Sequence, residues 1–289
     1  MRVLVTGGSG RLGQFVIRDL VDHGHEVVNA DRRPPAPGGP AGAPPVRFVE
    51  TDLGDVGQVA GVLAGRDAVV HLGAIPNPYG HADEVVFVNN TRATFAALQA
   101  ASLLGVRKAA IASSVSAYGT AWAPRPFPPN YAPVDEEHPL LNHDAYGLSK
   151  EVDERTAQMF HRRDGMQVVA LRFHWVALPA EAAARAADLA ADPRHDDWWR
   201  LLWGYVDARD AATACRLAVE AEGLGFDAFN VTAADTLSET PTEELIRRHA
   251  PTVELRQPIP GTTSDFSLDE ARRLLGYEPA HGWREGRGS

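Results

Sequence analysis

Short apolar runs alternate with longer stretches of helical periodicity through the first half of the chain. Residues 2–5, 26–30, 46–49, 68–72 and 109–112 are short, rich in Val, Ile, Leu and Ala, and free of strict polar alternation, which predicts strands covered on both faces. Residues 11–23, with Leu12, Phe15, Val16 and Leu20 on one side, and residues 56–63 and 83–104 carry the spacing of helices. Strand and helix in this alternation predict parallel pairing through right-handed crossovers. Residues 34–45 hold too much Pro, Gly and Ala for a regular element, so the crossover helix between the second and third strands is expected to be missing or tiny. Residues 121–139 read as a second Pro-rich loop, 146–161 as a helix and 168–171 as a sixth strand. Farther on, 180–191, 207–221, 242–249 and 267–275 read as helices and 228–231 as a strand, with 285–289 frayed beyond them. The expected fold is α/β: a doubly wound parallel sheet over 1–175, with a small C-terminal α/β substrate lobe over 176–289 interleaved with it.

Charge and composition narrow the function. A net charge of −10, spread along the chain, argues against nucleic-acid or anionic-membrane partners and leaves a small molecule as the expected one. The single cysteine, Cys215, can neither close an internal disulfide nor assemble a metal site alone, so no metal is expected. The chain runs straight into its first strand with no basic leader and no long apolar stretch, so a cytoplasmic protein is expected. Only two of the 28 basic residues are lysines, Lys108 and Lys150.

Between the first strand and first helix stand Gly7, Gly10 and Gly13. Gly7 permits a tight turn, Gly10 lets backbone approach a pyrophosphate, and Gly13 lets helix pack on strand, with Arg11 and Leu12 opening the helix whose amides face the phosphates. The spacing is Gly-x-x-Gly-x-x-Gly, and alone it is equally an ordinary glycine-rich turn. Asp31 ends the second strand, where a carboxylate accepts from ribose hydroxyls and disfavours a 2′-phosphate. NAD is therefore the expected cofactor, while Arg32, Arg33 and Arg11 leave NADP open. Asp52 and Leu53 follow the third strand, at an adenine edge or, for Asp52, as the cap of the next helix. Leu72, Gly73 and Ala74 follow the fourth strand, where small residues let backbone run beside a cofactor.

Tyr146 and Lys150 lie four apart on one helix face. A tyrosine is a poor base near neutral pH, and an ammonium beside it favours its phenolate. A serine cluster, Ser113, Ser114 and Ser116, leaves the fifth strand at the carboxyl edge of the sheet, where ligands of open α/β folds sit, although such hydroxyls also satisfy backbone at strand ends.

The glycine loop, Asp31, Asp52-Leu53, residues 71–74, Val88-Asn89-Asn90-Thr91, Ser113–Gly119, Tyr146–Lys150, Leu171-Arg172 and the 205–210 segment together resemble the extended short-chain dehydrogenase/reductases, the NAD-dependent epimerase/dehydratase group. The resemblance is dense to about residue 175 and thinner over 205–284. It implies a Rossmann-type fold, a homodimer through helices 83–104 and 146–161, Tyr146 as acid/base, Lys150 tuning it and holding the nicotinamide ribose, Ser114 as the family's serine or threonine, and Asn89 beside the active site.

The family's dehydratases carry an Asp-Glu pair where Val115 and Ser116 stand, and its epimerase-reductases use a cysteine that Cys215 does not match in position. Only about 30 residues separate Arg172 from Tyr205, where nucleotide-sugar epimerases spend a longer segment. The expectation is an oxidoreductase acting on a small hydroxyl or carbonyl substrate such as a sugar or sugar acid, near the uronate-dehydrogenase-like branch. A nucleotide-sugar 4-epimerase with recycled NAD is the alternative, and a non-catalytic NAD(P) sensor ranks last because such proteins tend to lose the Tyr/Lys pair. Ser116, Arg172, His174 and Trp203, within the aromatic run 196–203, are the candidate substrate residues. Arg172 reads equally as a structural ion pair, the aromatic run as core packing, and His174 as structural.

Overall fold

The apolar runs fold into one seven-stranded parallel sheet in a computed structural model that describes residues 1–191 and 197–285. Asp196, in the aromatic run, and residues 286–289 lie outside the described residues. The sheet-forming strands are β1 (Arg2–Thr6), β2 (Glu26–Asp31), β3 (Arg47–Glu50), β4 (Ala68–His71), β5 (Lys108–Ser114), β7 (Gln167–Phe173) and β10 (Phe226–Val231). Their order, β10-β7-β5-β4-β1-β2-β3, reverses direction between β1 and β4. Loops leaving the carboxyl ends of those two strands diverge, and the gap between them is where ligands of this architecture sit.

Successive strand residues divide between two cores. Val3 and Val5 face α1 (Arg11–Asp22), α6 (Ala208–Glu220) and α8 (Asp269–Leu275), while Leu4 faces α2 (Val56–Leu63), α3 (Asp83–Leu104) and α4 (Ala145–Asp164). This two-sided burial explains why the strands read as unbroken apolar runs. No helix links β2 to β3, as the Pro-rich loop requires.

The structure extends several expected elements. Pairing with β7 carries β5 on through Ser113 and Ser114, opposite Arg172 and Phe173. Two small parallel pairs join the lobe: β6 (Tyr131–Ala132) with β11 (Glu254–Leu255), and β8 (Val176–Ala177) with β9 (Val206–Asp207). Strands of two residues are too short to leave a periodic signal. The lobe also holds α5 (Pro179–Ala191) and α7 (Thr242–His249), whereas α6 and β10 return to the main sheet. No described helix is long and apolar enough to cross a membrane.

Arg172, at the end of β7, takes the structural ion pair of its two expected readings and not the substrate one. Its guanidinium is buried and does not line the cleft at the sheet's carboxyl edge. Nε and Nη2 donate to the two carboxylate oxygens of Glu154 at 2.9 and 2.8 Å, and Nη1 donates to the Tyr118 hydroxyl and the Glu136 carbonyl. A guanidinium so fully engaged has no fork left for a substrate carboxylate; it ties α4 to β7 and to the loop after β5.

Removing one partner of a buried pair strands the other charge. Glu154→Ala should therefore cost about 3–5 kcal/mol in urea unfolding. A loss below about 1 kcal/mol, the range of a solvent-exposed pair, would refute this assignment.

Candidate active site

A cleft of about 1190 Å³ runs along the carboxyl edge of the sheet. Its first half is backbone. Gly7 has φ +71°, and a Cβ there would meet Gly73 N at 2.7 Å, so the glycine loop and the end of β4 touch through backbone alone. At Gly13 a Cβ would lie 2.4 Å from Gly7 O, which fixes how closely α1 packs. Gly10 caps α1 with no side-chain hydrogen bond and no acidic residue follows in the first turn, so the helix presents unsatisfied amides to the cleft. An anionic diphosphate fits that end.

Arg11, Leu12, Asp31, Arg32, Asp52, Leu53, Leu72, Gly73 and Ala74 line the same half. Asp31 accepts from Ser9 N at 3.1 Å and from Arg32 N at 2.7 Å, which orients its carboxylate at the end of β2. Asp52 accepts from Gly54 N, and the cap of α2 is Asp55, which accepts from Gln58 N. The capping alternative for Asp52 is thereby replaced by its neighbour.

The second half is side chains. Tyr146 and Lys150 stand on the inner face of α4, both lining the cleft, with the Lys150 ammonium 5.9 Å from the Tyr146 ring centre. Lys150 Nζ donates to Ala112 O at 2.8 Å and to Asp153 Oδ2 at 3.2 Å. Ser114 Oγ accepts from Ser116 N, so its own proton stays free to donate towards the cleft it lines. Asn89 lines the cleft and donates to Asn90 Oδ1. Asn90, unassigned from sequence, is buried, accepts from Ile75 N and donates to Ile75 O and Ser149 Oγ, stapling α3 to the loop after β4 and to α4. His71, at the end of β4, is buried against Thr6 Oγ1 at 2.7 Å, and burial, aided by the nearby Lys150 charge, pushes its imidazole down to about 3. It is neutral at physiological pH.

Beyond Tyr146 the cleft is walled by Trp122, Trp175, Trp198 and Arg185. Ser116 lines it and accepts from Trp122 Nε1 at 3.1 Å. His174 lines it too, but Nε2 faces the Leu201 carbonyl at 2.8 Å and Nδ1 faces Trp175 N at 2.6 Å. A carbonyl only accepts and an amide only donates, so Nε2 holds the proton and the ring is a neutral strut. Burial pushes it down to about 4. Trp203 corrects one expectation. Leu202 and Trp203 adopt left-handed backbone, φ 51° and 52°, and the Trp203 indole packs edge-on against His249, 5.4 Å away, rather than facing the cleft. Trp122, Trp175 and Arg185 went unforeseen. Trp122 stands alone in a Pro-rich loop, Trp175 follows the end of β7, and Arg185 occupies one position of an alanine-rich helix.

A parallel sheet with this strand order, a glycine turn that opens a helix, and a Tyr/Lys pair below a serine define an NAD-dependent enzyme of the extended short-chain dehydrogenase/reductase type. The chain belongs to the NAD dependent epimerase/dehydratase family, whose model matches residues 3–232. The UDP-glucose 4-epimerase of Corynebacterium glutamicum is 25% identical over 318 aligned residues, covering 97% of this chain and 92% of that protein. The uronate dehydrogenase of Pseudomonas putida is 29% identical over 171 residues, 59% of each chain. Three further UDP-glucose 4-epimerases match over only 52–56% of their own length. A solved short-chain dehydrogenase/reductase superfamily protein from Agrobacterium tumefaciens with bound NAD superposes with a TM-score of 0.73 at 24% identity, over 98% of this chain and 94% of that one.

Asp31 gives the site a test of cofactor choice. Asp31→Ala should weaken NAD more than NADP, by about tenfold in the ratio of dissociation constants measured by fluorescence titration, the scale of one charge-assisted hydrogen bond. The opposite order would mean that Arg32 and its neighbours set the preference.

Proposed function

We propose that the protein is an NAD-dependent dehydrogenase acting on a hydroxyl of a small, free polyhydroxylated substrate, a sugar or sugar acid. The observation that carries this reading is the wall beyond Tyr146. Three indoles and a guanidinium close the cleft there, and Arg185, lying 5.3 Å over the Trp198 ring, has a buried Nε with no hydrogen-bond partner. Indole faces suit the apolar faces of sugar rings, and a guanidinium whose Nη1 stands 3.9 Å from Asp188 and whose Nε is unsatisfied suits a carboxylate. The short segment between Arg172 and Tyr205 supports the same reading, since it leaves little chain to hold a nucleotide.

NAD, when bound, supplies the hydride acceptor. Tyr146 takes the hydroxyl proton as the carbonyl forms, Ser114 donates to the substrate oxygen and orients it, and Lys150 holds the ribose side of the site. Gly7, Gly10, Gly13, Asp31, Asp52 and Leu72–Ala74 hold the dinucleotide, with Asn89 beside the reacting end. Epimerisation of a nucleotide sugar is the second reading, favoured by the full-length likeness to a UDP-glucose 4-epimerase.

Purified protein with NAD, scanned against free sugars, uronates and nucleotide sugars, should build up the reduced-nicotinamide band with a free sugar or acid. No growth of that band, together with an epimerised nucleotide sugar by chromatography, would overturn the proposal. With the active substrate, Tyr146→Phe should lower kcat about 10²–10⁴-fold with NAD affinity nearly unchanged, and undiminished turnover would remove Tyr146 from the mechanism.

We further read the α3–α4 face as a homodimer interface. Phe95, Leu103 and Leu148 are 44%, 66% and 43% exposed there, apolar side chains that a second copy would cover. Light scattering should give a dimer for the natural chain and a monomer for Phe95→Glu with Leu148→Glu; a monomeric natural chain would refute the interface.

A further inference from the structure

Lys150 is 3% exposed at the cleft floor, and Asp153, one turn along α4, is 1% exposed with Oδ2 at 3.2 Å from its ammonium. The groups around this pair come from four elements. Tyr146 and Glu154 share α4, and Glu154 is already neutralised by Arg172 of β7. His71 of β4 is uncharged. The Thr94 hydroxyl of α3 faces the Asp153 carboxylate. Burial pushes Asp153 up from the ordinary carboxylate range and the Lys150 ammonium pulls it down. Among these groups, Asp153 is thus the carboxylate free to balance Lys150.

We infer that Asp153 is a positioning and charge-balancing residue for Lys150, making the pair net neutral so that the reacting end of the cleft admits the cationic, oxidised nicotinamide as readily as the neutral, reduced one. An unbalanced ammonium at the floor would repel the oxidised ring and leave the reduced ring unaffected. Asp153 removes that bias, and so favours loading of the form that dehydrogenation consumes. The inference rests on Lys150 lying at the nicotinamide end, as in the reading above, but not on which substrate is turned over.

The test needs no turnover. Dissociation constants of NAD and NADH are measured by calorimetry on the intact chain, for the natural protein and three variants. Asp153→Asn leaves a net positive charge and should weaken NAD relative to NADH by about tenfold, the scale of one unit charge at about 10 Å in a partly screened site. Lys150→Met leaves a net negative charge at most and should not move the ratio the same way. The double variant Lys150→Met with Asp153→Leu carries neither charge and should return the ratio to within about twofold of the natural protein. Unchanged ratios in Asp153→Asn, or equal weakening of both forms, would make Asp153 merely structural and overturn the inference. If Asp153→Asn does not fold, the double variant decides, because it leaves no uncompensated charge: a tenfold shift there refutes charge balance. A failed dehydrogenase assay would leave these ratios untouched, so the two readings fail separately.

Discussion

Lys150 places an ammonium at the floor of the cleft with almost no exposure, and desolvating a cation costs several kcal/mol unless partners replace the water. Ala112 O and Asp153 are those partners. The first comes from β5 and the second from α4, so satisfying the charge fixes how α4 docks on the sheet. The next turn repeats the device: Glu154 meets Arg172 of β7 and accepts from Ser113 of β5. Two buried ion pairs, one turn apart, therefore set the height at which Tyr146 faces the cleft and the place of Ser114 beside it. Neither pair needs to add net stability to do this, because a mispacked α4 would part Glu154 from Arg172 and take Lys150 away from the Ala112 carbonyl.

That arrangement explains what was legible in α4 and what was not. The helix was read from its motif and spacing, and both ends moved only by one to three residues. Its inner face was harder, since Lys150, Asp153 and Glu154 are buried where hydropathy would place them in solvent. Arg172 was open between ligand and ion pair for the same reason: a sequence shows the guanidinium but not the carboxylate that reaches it from another element.

The cofactor half of the cleft was legible because it is built from backbone. Gly7 and Gly13 occupy places where a Cβ would collide with backbone, and that demand leaves a mark on the sequence itself. Asp31 and Asp52 follow strands whose ends could be counted. The substrate half has no such mark. Trp122, Trp175, Arg185 and Trp198 come from four separate places along the chain and converge only in the folded state. Trp203 misled because it stands in the same aromatic run as Trp198, yet Leu202 and Trp203 itself adopt left-handed backbone, a feature no residue preference announces for Leu and Trp.

The wall is nonetheless placed by ordinary packing. Pairing of β8 with β9 brings the chain back to the sheet soon after it leaves β7, and Ala177, Ala182, Ala186, Tyr205 and Trp283 bury a small core beneath α5. The alanines of α5 let it lie close, so that Arg185, at the flank of the alanine face, reaches the cleft. At its first turn Glu181 pairs with Arg11 of the glycine loop. Both partners are more than a third exposed, and such a pair is worth no more than about 1 kcal/mol. It is too weak to hold the lobe shut, and strong enough to bias where α5 sits. The wall of indoles therefore takes its position from the buried alanine face, and the Arg11–Glu181 pair aligns it with the glycine loop at the other end of the cleft.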